Sequence, residues 1–300
     1  MEYAIGVDLG GTWIRVAVVS ELGAIVKVVK EATGIIGSPE ELVQRIRHLV
    51  NQLEIDSYHP RGLGVGVCGP VNSNTGHVYV LPNLGIGDFD LKSLLEADWN
   101  IPVYIGNDAN LAALAEANLG AGRNQHVVQY ITISTGLGGG LAIDGRLMTG
   151  RYGFAQEISQ MMIRDQSLAH NLISNPGSWE SVCSGTALML KAKEMGLSIA
   201  HPGELFAQAA NHDPLAEPIC ETWIQDMARG IANIIHYIEP EVVVLGGGLM
   251  QAQKYFLSDL RNAIHPLIYE PLRGKIPVLV STFGQDSGII GAALLAFFYH

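Results

Sequence analysis

A short glycine-containing segment near the start of the chain, Asp-Leu-Gly-Gly-Thr at residues 8–12, separates two apolar stretches. These stretches, 4–7 and 13–19, predict the two strands of a β-hairpin with the segment at its tip. Because glycine has no Cβ, Gly10 and Gly11 can adopt left-handed backbone angles and let main-chain N–H groups converge on an anion. A glycine pair is equally typical of an ordinary hairpin turn. The segment alone leaves both interpretations open.

Two side chains of the segment suit the phosphate interpretation. Thr12 adds a hydroxyl donor, and Asp8 ends the first predicted strand. Mg²⁺ prefers oxygen ligands and retains water, so we expect Asp8 to hold Mg²⁺ through its water shell rather than to contact phosphate. The motifs that follow later in the chain decide between the two interpretations.

The strand–glycine–strand pattern occurs again in the second half of the chain. Residues 127–133 and 141–143 predict strands on either side of a glycine-rich turn at 134–140. A third glycine turn, 246–248, follows the apolar stretch 241–245. The repetition predicts a duplicated fold with phosphate-sized turns in both halves.

We therefore expect an α/β protein of two domains. The smaller domain covers residues 1–118, with a C-terminal helix at 287–300 packed back on it, and the larger domain covers residues 119–286. Within the smaller domain, Ser-Pro-Glu-Glu at residues 38–41 has the N-cap residue, the early proline and the acidic first turn that begin a helix.

Composition limits the classes of partner. The 300 residues carry a formal net charge of -11, whereas nucleic-acid binding requires clustered Lys and Arg. No apolar run reaches the roughly 18 residues of a membrane span, and Met1 leads directly into the first predicted strand. The three cysteines have no C-x-x-C spacing. We expect a soluble cytoplasmic protein that binds neither nucleic acid nor a membrane.

Common nucleotide-binding motifs are missing from the sequence. It contains no Walker A sequence, no kinase glycine-rich loop and no G-x-G-x-x-G after the first strand. Instead, four motifs follow one another: Asp-Leu-Gly-Gly-Thr at 8–12, Gly-Asn-Asp-Ala-Asn at 106–110, Ser-Thr-Gly-Leu-Gly-Gly-Gly at 134–140 and Leu-Gly-Gly-Gly at 245–248. Their order and separation resemble those of the actin-like sugar kinases of the ROK family (repressors, open reading frames, kinases).

This resemblance extends over essentially the whole chain. It implies two ribonuclease-H-like lobes around a central cleft, with ATP, Mg²⁺ and a sugar as ligands, and it implies a homodimer. The residues that match the family's binding positions are the first phosphate loop (Gly10, Gly11, Thr12), the second phosphate loop (Thr135, Gly136), the adenosine loop (Gly246, Gly247, Gly248) and the sugar site (Gly69, Asn83, Asn107, Asp108, Glu157, Glu180).

Asp108 matches the family's catalytic carboxylate. A sugar 6-hydroxyl is a poor nucleophile, and a carboxylate at the end of a strand can accept its proton as the oxygen attacks the γ-phosphorus. The same residue also stands where an N-cap of the predicted helix 109–118 would lie. The two roles are compatible, and we favour the catalytic one.

The chain departs from the family pattern in the polar stretch 151–178. Family members carry Glu-x-Gly-His and then Cys-x-Cys-Gly-x-x-Gly-Cys-x-Glu, whose His and three Cys bind a structural zinc ion. The corresponding positions here are Gln160, Asn171, Ile173 and Ser178. Zinc requires thiolate, imidazole or carboxylate donors, so we expect no zinc site.

Two classes of function remain. The favoured class is an ATP-dependent hexose kinase with glucose as the default acceptor. N-acetylmannosamine, N-acetylglucosamine, mannose, fructose and allose stay open as other acceptors, and polyphosphate stays open as another donor. The alternative is a sugar- or nucleotide-binding protein without turnover, which only the altered loop supports.

Retention of Asp8, Asp108 and the three glycine turns favours the enzyme over the binding protein. ROK repressors carry a helix-turn-helix segment ahead of the kinase-like part. Because this chain starts at its first predicted strand, we do not expect a transcription factor.

Overall fold

A computed structural model describes residues 1–97, 99, 101–165 and 174–299. By their internal contacts the residues form two compact units. Unit 1 contains Met1–Asn124, Gly140–Gln156 and Asp286–His300, and unit 2 contains Gln125–Gly139 and Glu157–Gln285. The domain boundary between residues 118 and 119 stays a proposal.

The strands of the described residues are β1 (Tyr3–Leu9), β2 (Trp13–Ser20), β3 (Ile25–Ala32), β4 (Leu63–Val67), β5 (Val71–Asn72), β6 (His77–Leu81), β7 (Ile86–Asp90), β8 (Val103–Asn107), β9 (Val127–Ile133), β10 (Leu137–Ile143), β11 (Arg146–Leu147), β12 (Val242–Gly246) and β13 (Val278–Val280).

The α-helices of the described residues are α1 (Pro39–Gln52), α2 (Leu91–Glu96), α3 (Asp108–Asn118), α4 (Trp179–Cys183), α5 (Gly185–Glu194), α6 (Pro202–Ala210), α7 (Ala216–Ile238), α8 (Leu257–Ile264) and α9 (Ser287–Phe298). Shorter 3₁₀ helices cover Ile55–Ser57, Ile158–Gln160, Gly248–Tyr255, His265–Leu267, Glu270–Leu272 and Gly284–Asp286.

The main sheet of unit 1 has the strand order β3-β2-β1-β4-β8. The strands β1 and β2 form the predicted hairpin and β3 extends it into an antiparallel meander, whereas β4 pairs in parallel with both β1 and β8. Helix α1 begins as the sequence predicts, because the Ser38 hydroxyl accepts a hydrogen bond from the Glu41 N–H at 3.2 Å. Its buried face includes Leu42, Ile46 and Leu49.

Helix α9 packs directly on β1 and β4 of unit 1. Two strand glycines allow this close approach, since a Cβ on Gly6 would lie 2.2 Å from the Ile289 carbonyl oxygen and a Cβ on Gly64 would lie 1.8 Å from that of Ala292. The contact is therefore one of backbone against backbone. It fixes the end of the described chain against its first strand.

In unit 2, β12 pairs in parallel with β9 on one side and with β13 on the other. The sheet that contains these strands has the order β11-β10-β9-β12-β13. Helix α7 supplies an apolar stripe to the unit 2 core. Trp223, Phe206 and Phe256 are buried in this core, and the centroids of their rings lie 4.8 to 5.1 Å apart. No helix in the described part of the chain combines the length and the apolar composition needed to cross a membrane.

Candidate active site

Three neighbouring parallel strands of unit 1 end at the same edge of the sheet. Leu9 of β1 pairs with Val67 of β4, and Val67 pairs in turn with Asn107 of β8. The segments that follow these residues carry the 10–12 turn, Gly69 and Asp108. The strand register thus brings the predicted phosphate turn, one wall of the predicted sugar pocket and the predicted base to one edge, which is where α/β sheets bind ligands.

The glycine turn at residues 10–12 lies against the side chain of Asn83. Neither Gly10 nor Gly11 uses the left-handed angles that glycine allows, since neither has a positive φ. A Cβ on Gly11 would instead lie 2.8 Å from Nδ2 of Asn83. Asn83 therefore borders the phosphate turn, and its Nδ2 also lies 3.8 Å from Sγ of Cys68.

Gly69 is required because the backbone of Val80 approaches it closely. A Cβ there would lie 2.3 Å from the Val80 carbonyl oxygen and 3.2 Å from Cδ of Pro82. Strand β6 contains Val80 and leads into Asn83. Gly69 and Asn83 therefore belong to two chain segments that touch each other beside the 10–12 turn.

Thr33 supports the same turn, and the sequence reasoning missed it. Its hydroxyl donates to the Gly10 carbonyl at 2.7 Å, its N–H donates to the Thr12 carbonyl at 2.9 Å, and the residue is fully buried. The contact follows from the strand register, because the pairing of Trp13 with Ala32 places residue 33 opposite residue 12.

Asp8 is held by an arginine that the sequence reasoning did not assign to a role. Asp8 and Arg15 lie opposite each other on β1 and β2, and the Arg15 Nε and Nη2 atoms donate to Oδ2 of Asp8 at 3.0 and 2.7 Å. Nη1 of Arg15 donates to Oδ1 of Asp286 at 2.8 Å. Two carboxylates and one guanidinium sum to one net negative charge. This charge and the hard carboxylate oxygens suit Mg²⁺ held through water.

Asn107, and not Asp108, is the N-cap of α3. The Asn107 Oδ1 atom accepts from the N–H groups of Ala109 and Asn110 at 3.0 and 3.3 Å. The Nδ2 group is then the donor that Asn107 can offer to a sugar. Asp108 is the first residue of the helix and is partly buried, and its Oδ1 accepts from the Ala109 N–H at 2.9 Å. The cap interpretation of Asp108 is therefore wrong.

The two glycine turns of unit 2 also follow neighbouring strands, at the same edge of their sheet. Thr132 of β9 pairs with Gly246 of β12, so the turn at 134–136 and the loop at 246–248 follow paired positions. Gly247 has φ +89°, and a Cβ there would lie 2.4 Å from the Ile133 carbonyl oxygen. Both conditions require glycine.

Thr186, at the start of α5, holds the 134–136 turn in place. Its hydroxyl and its N–H both donate to the Thr135 carbonyl, at 2.8 and 3.1 Å. The sequence reasoning missed this contact too, since it joins residues that lie far apart along the chain. The predicted second phosphate loop therefore has a fixed backbone.

Glu157 and Glu180 lie in unit 2, near enough to influence each other. Burial and, secondarily, the charge of Glu180 raise the pKa of Glu157 above the usual value of a glutamate, although part of its side chain reaches water. The Glu180 Oε2 atom accepts from the Leu137 N–H at 3.2 Å, and Oε1 accepts from the Ser174 hydroxyl. Glu180 thus contacts the end of the 134–136 turn.

The side chains at the positions that carry zinc ligands in other family members do not fit a zinc ion. Oε1 of Gln160 accepts from Nδ2 of Asn175 at 3.1 Å, and the buried Ser178 hydroxyl accepts from the Ser181 N–H at 3.4 Å as the N-cap of α4. An amide and a hydroxyl are not among the donors that structural zinc sites use. The other two positions, Asn171 and Ile173, lie outside the described residues.

The chain is similar to sugar kinases of known structure and function. Glucokinase from Thermotoga maritima is 31% identical, with 96% of this chain and 95% of that protein covered. A ROK family glucokinase from Streptomyces griseus, crystallised with glucose and AMPPNP, matches with a TM-score of 0.84 and 30% identity over 98% of this chain and 99% of that one. ROK hexokinase from Thermus thermophilus matches with a TM-score of 0.85 and 28% identity over 98% of both chains.

These similarities confirm the predicted α/β fold of the actin-like sugar kinases. The family match itself covers residues 4–297, from the first strand β1 to the last helix α9. The chain therefore belongs to the ROK family.

Proposed function

We propose that this chain is an ATP-dependent hexose kinase that transfers the γ-phosphate of ATP to the 6-hydroxyl of a sugar, with glucose as the expected acceptor. The glucokinases among its relatives support the reaction and the acceptor. The observation that carries the proposal is the position of Asp108, which directly follows β8 at the sheet edge that also bears the 10–12 turn.

In this proposal Asp108 is the general base. Its carboxylate accepts the proton of the sugar 6-hydroxyl as that oxygen forms a bond to the γ-phosphorus. The bond between the γ-phosphorus and the bridging oxygen of ADP breaks at the same time, and ADP leaves with the electron pair. Asn107 orients the sugar through its Nδ2 donor, next to the base.

The remaining sugar contacts are assigned by chemistry and by family position. Gly69 and Asn83 form a wall of the sugar pocket, and the absence of a side chain on Gly69 lets the Val80 backbone close that wall. Glu157 and Glu180 accept hydrogen bonds from sugar hydroxyls, and bonds of this kind to a charged acceptor are the stronger ones. These carboxylates would thereby distinguish one hexose from another.

The nucleotide is assigned to the three glycine turns. The N–H groups of Gly11 and Thr12 and the Thr12 hydroxyl bind phosphate oxygens, as do Thr135 and Gly136, while Gly246, Gly247 and Gly248 form the loop beside the adenosine. Asp8, oriented by Arg15, would hold Mg²⁺ through water. The metal ion would supply neutralisation of phosphate charge.

A coupled assay of ADP release tests the proposal. The panel contains glucose, mannose, fructose, allose, N-acetylglucosamine and N-acetylmannosamine, each with ATP and with polyphosphate as donor. Turnover that is fastest with glucose and ATP supports the full proposal. Faster turnover with another sugar or another donor would identify that compound as the acceptor or the donor. Binding without turnover for every pair would establish the non-catalytic alternative.

We also propose that the chain binds no zinc and that it forms a homodimer. The first proposal rests on the donors at Gln160 and Ser178 and on the residue types at Asn171 and Ile173. The second rests on family resemblance alone. Light scattering after size exclusion measures the mass in solution, and a monomeric mass would overturn the dimer.

A further inference from the structure

Asp226, in the middle of α7, is a buried carboxylate with two arginine partners. Its side chain is 2% exposed. Nη1 of Arg229, one turn further along the same helix, donates to its Oδ1 at 2.6 Å. Nε of Arg164 lies 3.0 Å from Oδ1 and 2.9 Å from Oδ2. Because a buried charge must be paired, the ion pairs of Asp226 hold in place the chain segments that carry the two arginines.

Arg164 reaches α7 from a segment outside that helix, which we name the paired segment and define as residues 161–164 with 177–179. The N–H groups of Ile163 and Arg164 donate to the Gly177 carbonyl at 2.8 and 3.0 Å, and the Trp179 N–H donates to the Met161 carbonyl at 2.7 Å. Gly177 has φ +82°, and a Cβ there would lie 1.8 Å from the Arg164 carbonyl oxygen. The two halves of the paired segment therefore move together.

Both proposed sugar-binding carboxylates adjoin the paired segment. Glu157 is separated from it by the 3₁₀ turn Ile158–Gln160, in which the Met161 N–H donates to the Ile158 carbonyl at 3.1 Å. Glu180 directly follows Trp179, which is fully buried and packs against Gly230 of α7. A shift of the paired segment would therefore displace Glu157 and Glu180 at once.

We propose that Arg164 is a positioning residue for sugar binding. Its ion pair with Asp226 fixes the paired segment on α7, and the chain thereby holds Glu157 and Glu180 with its own side chains rather than with a metal ion. The inference rests on the proposed sugar role of these two carboxylates. Arg229 shares the carboxylate but lies on α7 itself, so it stabilises Asp226 without holding the paired segment.

The structure thus offers a matched pair of variants, Arg164→Met and Arg229→Met. Each removes one arginine from the same carboxylate, and the two arginine side chains are similarly exposed, at 40% and 50%. A purely structural role predicts similar effects of both. A positioning role predicts that only Arg164→Met alters sugar binding, and Arg164→Gln is the milder replacement if the Met variant does not fold.

Two readouts are measured on the full-length protein. In Arg164→Met the KM for glucose should rise about tenfold, equivalent to about 1.4 kcal/mol of binding, while the KM for ATP stays unchanged. Amide hydrogen exchange at Ile163 and Trp179 should also accelerate at least about tenfold, since these N–H groups close the paired segment. Arg229→Met should show neither change.

The outcomes separate this inference from the proposed function. Equal effects of Arg164→Met and Arg229→Met, or an unchanged glucose KM in Arg164→Met, would overturn the positioning role. If the parent protein phosphorylates no hexose, the proposed function fails and exchange at Ile163 and Trp179 alone decides the anchoring. Faster exchange only in Arg164→Met supports the anchor, and unchanged exchange overturns it.

Discussion

The backbone N–H of Leu137 donates to the Glu180 carboxylate across 3.2 Å. A Cβ on Gly136 would lie 2.9 Å from the same Oε2 atom. Glu180, proposed to bind sugar, therefore also braces the end of the turn proposed to bind phosphate. Glu157 makes no such hydrogen bond to the turn among the contacts of the described residues, so the two carboxylates should respond differently to substitution.

Glu180→Ala should raise the KM for ATP as well as the KM for the sugar. The loss of the acceptor leaves the Leu137 N–H without this partner, and an unmade hydrogen bond of that kind costs about 1–3 kcal/mol. Glu180→Gln keeps an oxygen for Leu137 and should affect the sugar alone, as should Glu157→Ala. Steady-state kinetics with each substrate varied in turn gives the comparison, and an ATP KM unaffected by Glu180→Ala would count against the bracing role.

Sugar affinity should depend on pH through Glu157. Burial, together with the nearby Glu180 charge, raises the pKa of Glu157. The carboxylate is therefore protonated over a range in which an ordinary glutamate is ionised, and sugar affinity should increase as the pH rises through the raised pKa. Profiles of kcat/KM for the sugar should show this acidic limb in the parent protein and a flatter response in Glu157→Gln.

The stability that Glu157 contributes changes with pH in the opposite sense. A carboxyl whose pKa is higher in the folded state binds its proton more tightly there, so the free energy of unfolding should fall as the pH rises from the ordinary pKa to the raised one. Urea titrations at several pH values should show a smaller fall in Glu157→Gln. An identical pH dependence in both proteins would contradict the assignment.

Asp108→Asn should reduce kcat by about 10²- to 10⁴-fold, because the amide cannot accept the proton. Sugar and ATP should still bind. Asn107 caps α3, so stability should change by no more than about 1 kcal/mol, the size of an acidic side chain's interaction with the helix N-terminus. Rapid-quench kinetics measures the change in kcat, and thermal melting measures the change in stability.

The control for Asp108→Asn is Asp144→Asn. Asp144 is exposed in the turn between β10 and β11 and has φ +51°, an angle that asparagine tolerates well. Its replacement should leave kcat nearly unchanged. If Asp108→Asn retains a kcat close to that of the parent, the base is another group.

Thr33→Val should weaken nucleotide binding, although the side chain at position 33 keeps nearly the same shape. The variant keeps the β-branched volume but loses the hydroxyl that donates to the Gly10 carbonyl. The free energy of unfolding should fall by about 0.5–1.5 kcal/mol, and the KM for ATP should rise more than that for the sugar. Thr33→Ser retains the hydroxyl and serves as the control, so a similar KM for ATP in both variants would exclude a role for the hydrogen bond.

Purified protein should contain no stoichiometric zinc, because Gln160 and Ser178 already form hydrogen bonds within the protein. A zinc-selective chelator should leave the Tm unchanged. Elemental analysis that finds one zinc ion per chain would overturn this expectation and the alignment of the 160–178 stretch on which it rests.

Local sequence signals predicted the elements that depend on near neighbours. Ser38 and the residues after it define the start of α1 through contacts within one turn, and the apolar stretches around residues 8–12 define the first hairpin. Such features need only the propensities and periodicity of adjacent residues. The order of the four motifs then identified the family.

Features that depend on distant residues could not be predicted in this way. Gly11 lies against Asn83, and Arg164 pairs with Asp226, so both contacts depend on residues that only the folded chain brings close. Asp108 is a candidate N-cap by sequence, whereas the structure has Asn107 there, and this difference has another cause. Both residue types cap helices well, so the sequence does not discriminate between adjacent candidates.

The packing of α9 on β1 and β4 has a consequence for the order in which the protein is made. Unit 1 consists of segments from both halves of the chain, whereas unit 2 lies almost entirely between them. During vectorial synthesis on the ribosome, β1 and β4 emerge early but remain without the helix that covers Gly6 and Gly64. All of unit 2 is therefore synthesised before unit 1 is complete, and β1 and β4 reach their final packing only after α9 has left the exit tunnel.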